Sequence, residues 1–476
     1  MIRRLILVCV GVAVLGGVLV GAGPEQWAQF RGPASGVVAD DPALPDTWSA
    51  EQNVAWKTPI AGIGWSSPIV WDDHIFVTTV VSGEKPPVPG LDIIEDDKNA
   101  SYKGGMRAPI ARSPHKWVLV NLDFKTGKVR WQTELKTSEP LAAKHPKNSY
   151  ASETPVTDGK RVYVYNGDLG LFAVDFKGEL VWATRVMPLG SLPAEDPTRA
   201  AGRVDFGTAS SPALNDDLVF VSDDHEPQEW FLAAYDTATG KQRWRVGDKK
   251  IRKGGAWLGW SSPVVWKNSV RTEVVVIAGG AVRSFDVSGN PLWQMHGLGT
   301  NSTATPVISD DMVFVGSGYP ADSARPTWAI KAGAGGDITL KEGEAHNAFV
   351  LWTQPKLAAY IPSAIAYRDN LYTLHSQGFF HANNAKTGEP LYPRRRIDRA
   401  TSGFSASPWA YNGKLFVLSE DGDTYVIQPG ADYKVLAKNS LGELTLATPA
   451  ILRGSLIFRT VSGVYRITDR SVAGTQ

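Results

Sequence analysis

Residues 206–246 read FGTASSPALNDDLVFVSDDHEPQEWFLAAYDTATGKQRWRV and contain four short apolar segments in succession. The turn-forming residues 215–217 separate the first segment from the second, Leu218–Val221. The third, Trp230–Tyr235, is followed by a turn at Asp236–Gly240 and by a fourth segment ending on Trp244. Runs of β-branched and aromatic residues bounded by Asn, Asp and Gly are typical of antiparallel strands joined by tight turns. The stretch therefore predicts a four-stranded β-meander.

This pattern recurs about eight times along the chain. Each copy opens with small residues beside a proline or just ahead of an apolar run, and the shorter intervals are about 41 to 57 residues, as in four-stranded propeller blades. The openings are Ser66-Ser67-Pro68, Glu153-Thr154-Pro155, Ser210-Ser211-Pro212, Ser261-Ser262-Pro263, Ala304-Thr305-Pro306, Ile361-Pro362-Ser363, Ala406-Ser407-Pro408 and Ala447-Thr448-Pro449. We predict an all-β fold, an eight-bladed β-propeller of four-stranded antiparallel blades. Small residues suit the first strand because inner strands crowd around a central channel.

The fourth strand of a copy usually ends on an aromatic residue after a glycine turn. Trp131, Trp182, Trp244 and Trp293 each follow such a turn, and Tyr392 ends a degenerate copy. The Asp of the turn can accept from backbone N–H groups, and Gly supplies a positive φ. These repeat-locked tryptophans are interpreted as wedges between adjacent blades rather than as a binding surface.

The eighth copy stops at Ile467, before any glycine turn and Trp strand. Val54-Ala55-Trp56 has the form of that missing strand and has no strand before it with which to pair. We expect the N-terminal strand to complete the last blade, because closure removes two exposed sheet edges. The propeller is assigned to residues 53–470.

The remaining N-terminal residues predict export. Arg3 and Arg4 precede an apolar run with glycines that is shorter than the roughly 20 residues of a spanning helix, and small residues follow it. Residues 1–22 are therefore interpreted as a signal peptide, with an uncleaved membrane anchor as the alternative, and residues 23–52 as an irregular strap with docked aromatics. The mature chain would be a periplasmic or extracellular monomer without a membrane span. The lone Cys9 lies inside the apolar run, so the mature chain would have no disulfide. The net charge of +1 implies no nucleic-acid partner.

The long insertions are predicted on one face of the ring. Loops between blades, and those between second and third strands, emerge on what we call the loop-rich face; the other hairpin turns emerge on the turn face. Ser82–Lys116, Met187–Asp205 and Gly316–Ala345 are assigned to the loop-rich face, together with Asp223–Glu229 and His375–Gly378. Elaborated loops on a rigid scaffold are typical of binding sites, although variable loops without a ligand remain the alternative. Acidic pairs at the short turns are interpreted as turn chemistry rather than metal ligands.

The repeats resemble the PQQ-like β-propeller repeat, in which an Asp and a Thr-Gly turn precede a terminal Trp. Leu122-Asp123 to Trp131 and Tyr235-Asp236 to Trp244 match this pattern, and the resemblance covers about residues 53–467. Gln29-Phe30-Arg31-Gly32-Pro33, with Gly64-Trp65-Ser66-Ser67-Pro68, looks like a group of exported bacterial proteins of this class. The resemblance implies one of two functions. Quinoprotein dehydrogenases hold pyrroloquinoline quinone on calcium in the funnel, whereas BamB-type assembly lipoproteins use the propeller as a cofactor-free docking scaffold.

Departures from the dehydrogenase pattern favour the scaffold. The adjacent-cysteine disulfide is absent, no Gly-Asp-x-Trp-Asp segment places the usual catalytic Asp, and the calcium-binding Glu and Asn have no assignable match. We expect a non-enzymatic binding module of the cell envelope without cofactor or metal. The alternative is a dehydrogenase of alcohols or sugars that uses the quinone and calcium, with Asp205 or an acid within residues 92–97 as base or calcium ligand. Cys9 is a poor lipobox cysteine, so the BamB role is not secured either.

Candidate binding residues lie at the tops of first strands and in the long loops. They could hold a protein partner or a flat polar ligand such as a quinone or sugar, or they could simply pack the loops. The candidates are Trp65, Tyr150, Asp205, Phe206, His225, Trp257, Trp260, Asn301, Tyr360, His375, Arg394 and Phe404.

Overall fold

The computed structural model describes residues 25–87, 89–90, 93–95, 100–102, 111–186, 206–224, 229–249 and 258–469. These residues form 37 strands and no helix. None of the elements in this part of the chain is a helix that could cross a membrane. The predicted signal peptide at residues 1–22 lies outside the described residues.

The strands follow one another in short antiparallel hairpins. In chain order they are β1 (Val54–Pro59), β2 (Ile69–Trp71), β3 (His74–Val81), β4 (Ile93–Glu95), β5 (Ala100–Tyr102), β6 (His115–Asp123), β7 (Val129–Ser138), β8 (Val156–Thr157), β9 (Arg161–Asn166), β10 (Gly170–Asp175), β11 (Leu180–Thr184), β12 (Ala213–Asn215), β13 (Leu218–Asp223), β14 (Glu229–Asp236), β15 (Gln242–Lys249), β16 (Leu258–Gly259), β17 (Val264–Lys267), β18 (Thr272–Ala278), β19 (Ala281–Phe285), β20 (Pro291–His296), β21 (Asn301–Ser302), β22 (Val307–Ser309), β23 (Met312–Gly316), β24 (Thr327–Lys331), β25 (Gly336–Asp337), β26 (Val350–Gln354), β27 (Ile365–Tyr367), β28 (Asn370–Leu374), β29 (Phe379–Asn384), β30 (Arg395–Arg396), β31 (Trp409–Tyr411), β32 (Lys414–Leu418), β33 (Asp423–Ile427), β34 (Val435–Ser440), β35 (Ala450–Leu452), β36 (Ser455–Arg459) and β37 (Gly463–Thr468).

Eight sheets of this set are the blades of a propeller, which confirms the predicted fold. Blades 1 to 4 are β2-β3-β6-β7, β8 to β11, β12 to β15 and β17 to β20. Blades 5 to 7 are β22-β23-β24-β26, β27 to β30 and β31 to β34. The innermost strand of each blade begins shortly after the small-residue opening, and a proline directly precedes its first segment in most blades.

The eighth blade joins the two ends of the chain. Its order is β35-β36-β37-β1, and β1 pairs antiparallel with β37, placing Val54 opposite Ile467 and Pro59 opposite Gly463. The predicted closure of the ring by the N-terminal strand is therefore confirmed.

Turn chemistry explains why the hairpins are short. Non-glycine residues with positive φ lie at the first hairpin of several blades, namely Asp72, Asp216, Asp310, Asn412 and Arg453, with φ between 47° and 51°. Asp and Asn tolerate this left-handed conformation better than most residues because their short side chains can bond to the local backbone.

The repeated tryptophans form what we call the rim joint between adjacent blades. Trp182, on the outer strand of blade 2, donates from Nε1 to the carbonyl of Thr237 in the turn of blade 3 at 3.0 Å. A Cβ on Gly240 of that turn would lie 2.5 Å from the Trp182 ring. The same bond and the same crowded glycine recur at Trp56 with Gly127, Trp131 with Gly178, Trp244 with Gly289 and Trp352 with Gly388. These tryptophans pack between blades, as predicted.

The joint between blades 4 and 5 differs from this pattern. Trp293 donates instead to the fully buried carboxylate of Glu273 in its own blade, at 2.7 Å. Outside it, β25 runs parallel to β20 and adds a fifth strand to blade 4.

Strand β25 belongs to a segment whose predicted position is partly wrong. The sequence assigned all of Gly316–Ala345 to the loop-rich face, but β24 lies within that range and is the third strand of blade 5. Only residues 317–326 are therefore on the loop-rich face. Residues 332–349 connect the third strand to the fourth, on the turn face. The reason is that Thr327–Ile330 is a buried run that pairs with β23.

The strap crosses the turn face from one side of the ring to the other. Trp27 is fully buried and bridges Val70 of blade 1, and the Ala28 carbonyl accepts from Thr157 of blade 2. On the far side of the ring, the Ser35 hydroxyl accepts from the N–H of Ile308 in blade 5, which lies opposite blade 1. Between these two attachments the strap passes over the central channel.

Candidate functional site

A ring of hydroxyl side chains lines the channel, one from the small-residue opening just ahead of the inner strand of each blade. In seven successive pairs, the backbone N–H of one member donates to the hydroxyl oxygen of the next blade's member, at 2.9 to 3.4 Å. We call this the hydroxyl ring; its members are Ser67, Thr154, Ser211, Ser262, Thr305, Ser363, Ser407 and Thr448.

The hydroxyl ring gives the small-residue openings a second role. Small size lets the inner strands approach each other, but Ala or Gly would not supply the acceptor for the neighbouring blade's N–H. These bonds use the hydroxyl oxygens as acceptors, so their O–H groups can still donate to a ligand or water in the channel. The ring is thus both the inner joint between blades and a set of donors around the channel.

Above the ring, on the loop-rich side, is a cavity of about 260 Å³ that we call the upper cavity. Its wall is aromatic: Phe206 meets Trp260 edge-on at 6.0 Å between ring centroids, and Tyr319 meets Tyr360 at 5.3 Å. Trp65 is fixed by a 3.0 Å bond from its Nε1 to the carbonyl of Lys147. Aromatic faces with a few directed polar groups suit a flat polar ligand.

A buried ion pair reaches across the mouth of the upper cavity. Lys147, in the loop between blades 1 and 2, lies 2.5 Å from the carboxylate of Glu420 in blade 7, and the two side chains are 7% and 1% exposed. Glu420 also accepts from the backbone N–H of Gly90 at 2.9 Å and from the Ser405 hydroxyl at 2.8 Å. Because these bonds satisfy the buried charge, the carboxylate ties loops of blade 1 to blade 7, which are not neighbours in the ring.

Phe30 of the strap forms the floor of the upper cavity. It also lines a second cavity of about 650 Å³, the lower cavity, which lies between the strap and blades 3 to 6. Phe30 and the hydroxyl-ring members Ser211, Ser262 and Thr305 line both cavities, so the two adjoin at this level of the channel.

Five of the predicted site residues meet in the upper cavity: Trp65, Phe206, Trp260, Asn301 and Tyr360. They share a position just ahead of an inner strand, and this position brings side chains from different blades to one opening.

Four other predicted residues lie elsewhere. Tyr150 packs against Trp117 and donates to the carbonyl of Ala142, and Phe404 is fully buried beside Tyr425. These two fill the space between blades. Arg394 is exposed on the outer side of blade 6 and stacks on Phe379 at 4.1 Å.

His375, the fourth, is buried in blade 6, 5.0 Å from His381 between ring centroids. Burial and the neighbouring His381 lower the pKa of His375 to about 3, so its imidazole is neutral at ordinary pH. The remaining predicted residues, Asp205, His225 and Trp257, lie outside the described residues, as do the acids at residues 92 and 96–97.

Sequence reasoning did not include several residues that line the upper cavity. Phe30 comes from the strap, while His145, Lys147 and Asn148 come from the loop between blades 1 and 2. The Gln-Phe-Arg-Gly-Pro motif was the available signal for Phe30. For Lys147 no local pattern indicates a partner 273 residues away in blade 7.

One buried carboxyl group lies behind the hydroxyl ring between blades 2 and 3. Glu153 is 2% exposed, and burial raises its pKa to about 7. Its carboxyl accepts from the Thr208 hydroxyl and, at 3.4 Å, from the N–H of Gly167. It faces these groups rather than the upper cavity.

The described lining of the upper cavity does not fit a calcium-bound quinone. Calcium needs six to eight oxygen ligands, several of them usually carboxylates. Among the lining residues that the structure describes, none is Asp or Glu. A search of the same residues finds no group of three His, Cys, Asp or Glu side chains arranged to hold a metal. We derive no reaction step through this cofactor.

The family model described as Outer membrane protein assembly factor BamB matches residues 114–319 and 195–430. The two matches together cover well over half of the chain. The protein therefore belongs to this family of PQQ-like β-propellers, as the repeat pattern indicated.

Individual relatives are distant. The assembly factor BamB of Escherichia coli (strain K12) is 35% identical over 78 residues, which are 16% of this chain and 19% of that protein. The aligned stretch thus spans about a fifth of the length of that curated relative.

Solved structures share the fold at low identity. Quinohemoprotein alcohol dehydrogenase from Comamonas testosteroni superposes with a TM-score of 0.57 at 12% identity, covering 94% of this chain and 80% of the dehydrogenase. Quinohemoprotein alcohol dehydrogenase ADHIIG from Pseudomonas putida HK5 gives 0.50 at 11% identity, covering 87% and 76%. At these identities the likeness concerns the fold alone.

Proposed function

We propose that the protein is an exported, non-enzymatic binding module of the cell envelope and that a protein partner docks on its loop-rich face. Residues 1–22 would direct the export. The family description names an outer-membrane assembly factor, which is consistent with a scaffold role in that compartment.

The observation that carries this proposal is that two buried carboxyl groups near the upper cavity are already held by bonds within the fold. Glu420 is held by Lys147, Gly90 and Ser405, and Glu153 by Thr208 and Gly167. A general base must be free to approach a substrate proton within hydrogen-bond distance. Glu420 and Glu153 instead use their carboxyl groups in structural bonds to neighbouring residues.

The loop-rich face also has the rigidity that a docking surface requires. Glu420 ties the insertion of blade 1, through Gly90, to the loop after blade 1, through Lys147. Asp322 in the exposed loop of blade 5 accepts from the N–H of Thr300 at 2.7 Å, which fixes that loop to its neighbour. Pre-ordered loops lower the entropy lost when a partner binds.

Site-specific photo-crosslinking in intact cells tests the docking face. A photoreactive side chain would replace Glu139 or Ala324, both exposed on the loop-rich face, and in the matched control would replace the exposed Lys177 on the turn face. We expect the first two positions to capture the same envelope protein and Lys177 to capture none of it. Capture only from Lys177, or no capture from any position, would contradict the proposal.

Calorimetry separates the scaffold from the quinoprotein alternative. Titrating pyrroloquinoline quinone with calcium into the purified protein should give flat heats. Submicromolar, stoichiometric binding would overturn the non-enzymatic assignment and make a dehydrogenase the better reading, with Asp205 as the first residue to replace.

A further inference from the structure

The strap buries a positive charge on the turn side of the channel. Arg31 is only 3% exposed, and its Nη2 donates to the carbonyl of Ala364 in blade 6 at 2.7 Å. Its Nε and Nη1 have no hydrogen-bond partner. Among the described residues, no carboxylate forms an ion pair with Arg31.

Arg31 therefore has unused donors and no counter-charge; Arg459 in blade 8 is buried in a similar way, and what distinguishes Arg31 is the cavity beside it. Charges removed from water are normally paired, because desolvating a guanidinium without a counter-charge is strongly unfavourable. Burial lowers the pKa of Arg31 to about 9, which still leaves the group cationic at neutral pH. A neighbouring anion would supply both the missing charge and the missing acceptors.

The lower cavity, in whose wall Arg31 lies, has room for that anion. Four cationic side chains and two carboxylates line this cavity of about 650 Å³: Arg31, Lys267, Arg368, Lys386, Asp310 and Asp369. The hydroxyl-ring members Ser211, Ser262 and Thr305 also line it, and each can donate through its O–H. Arg368 pairs with Asp40 and Lys386 with Asp369, so the excess of positive charge rests on Arg31 and Lys267 against Asp310, beside the neutral donors.

We propose that the lower cavity binds an oxyanion, either a carboxylate or a phosphoryl group of a small molecule, with Arg31 as its principal ligand. This site lies on the strap side of the channel and adjoins the upper cavity at Phe30 and the hydroxyl ring. The proposal does not depend on which partner docks on the loop-rich face.

The strap turn that carries Arg31 provides the access. Nε and Nη1 are screened from water in this structure, so the proposal requires the guanidinium to turn toward the cavity when an anion binds. Arg31 and Ser35 have positive φ values of 62° and 51°, and such left-handed non-glycine residues make the turn a strained segment.

Arg459 offers a matched control for the loss of a buried cation. It is 1% exposed, its Nη1 and Nη2 have no hydrogen-bond partner, and burial lowers its pKa to about 10. It lies in blade 8 near the carbonyl of Gly64 and lines neither cavity. A substitution there removes the same chemistry away from both cavities.

The experiment is calorimetric titration of the mature protein with sodium phosphate and, separately, with citrate, at pH 7 and constant ionic strength. We expect saturable binding of at least one anion by wild type and by Arg459→Gln, and at least tenfold weaker binding by Arg31→Gln. Arg31→Lys, which keeps the charge, serves if Arg31→Gln does not fold, and should bind several-fold more weakly than wild type. Binding of phosphate alone would assign the site to a phosphoryl group, and binding of citrate alone to a carboxylate.

Three outcomes would overturn the proposal. They are an absence of saturable binding by wild type with both anions, equal affinities for wild type and the Arg31 variants, and an equal loss in Arg459→Gln. The thermal unfolding midpoint gives an independent check, since a bound anion stabilises the folded state in proportion to the logarithm of its concentration. General salt effects on stability would raise all the variants alike.

Discussion

The rim joint and the inner joint connect the same blades by different chemistry. At the rim, the large Trp182 ring packs onto Gly240 of the next blade, so the contact depends on shape. At the channel, Thr154 donates its N–H to the Ser211 hydroxyl at 2.9 Å, so the contact depends on one hydrogen bond. The rim tolerates no added atom, whereas the channel wall faces open space. The difference implies that stability resides mainly at the rim and that the channel wall is free to serve binding.

The largest expected effect comes from adding one methyl group at the rim. In Gly240→Ala the new Cβ would lie 2.5 Å from the Trp182 ring, at a backbone φ of 68°. The left-handed conformation costs about 1–2 kcal/mol for Ala, and the overpacked contact adds about 1–3 kcal/mol. We expect a loss of about 3 kcal/mol in the free energy of unfolding, measured by urea denaturation.

Gly442→Ala is the control for that substitution. Gly442 also has a positive φ, 65°, but no atom lies within 4 Å of the position of its Cβ. It should lose only the backbone contribution of about 1–2 kcal/mol. Equal losses in the two variants would show that the rim contact with Trp182 contributes little.

A second prediction concerns the buried carboxyl beside the inner joint. Because the pKa of Glu153 is raised from 4.5 to about 7, the folded protein holds a proton that the unfolded chain releases between these values. Stability should therefore fall as pH rises from about 4.5 to 7. Glu153→Gln removes this titration and should be more stable than wild type at pH 8 by up to about 3 kcal/mol, with a smaller difference at pH 4.5.

Urea denaturation across that pH range measures the effect. Glu139→Gln, at an exposed position in the loop after blade 1, serves as the control and should follow the wild-type profile. If Glu153→Gln also ran parallel to wild type, Glu153 would not be the group that titrates.

The smallest effect is expected within the hydroxyl ring. Ser211→Ala removes the acceptor of the Thr154 N–H. Because Thr154 lines the cavity, a water molecule can replace the lost acceptor. We expect a loss of about 1 kcal/mol, against almost none for Ser323→Ala in an exposed loop. A loss above about 3 kcal/mol would place the main stabilising contact at the channel rather than at the rim.

The sequence predicted the rim far better than the channel, because the rim motif is contained within a few consecutive residues. A glycine turn with its Asp and a following Trp are all decided within a few residues, so blade number and closure by Val54–Trp56 could be deduced. The strand Thr327–Lys331 was missed because a short apolar run between two loops looks like part of an insertion. From the sequence, Ser211 could be recognised only as a small residue. Its hydroxyl bond could not be predicted, because its partner, Thr154, is in another blade.

The candidate site was predicted only in part, for a related reason. Trp65, Phe206 and Trp260 were grouped because each lies just ahead of an inner strand, and all three line one cavity. The same criterion also selected Tyr150, whose side chain points into the protein core. The positions of Phe30 and of the Lys147–Glu420 ion pair could not be predicted, because each brings together segments that are far apart in sequence.

The pairing of β1 with β37 makes folding wait for the end of synthesis. Val54 begins the first strand and Ile467 lies in the last strand of the described residues, so their contact closes a loop of almost the whole domain. Closing so long a loop is slow, and until it happens both strands expose edges that can recruit other chains into aggregates. If residues 1–22 direct export as we propose, this closure would be completed only after the C-terminal strand had crossed the membrane. A chaperone that shields β1 during that interval would then increase the yield of folded protein without changing its stability.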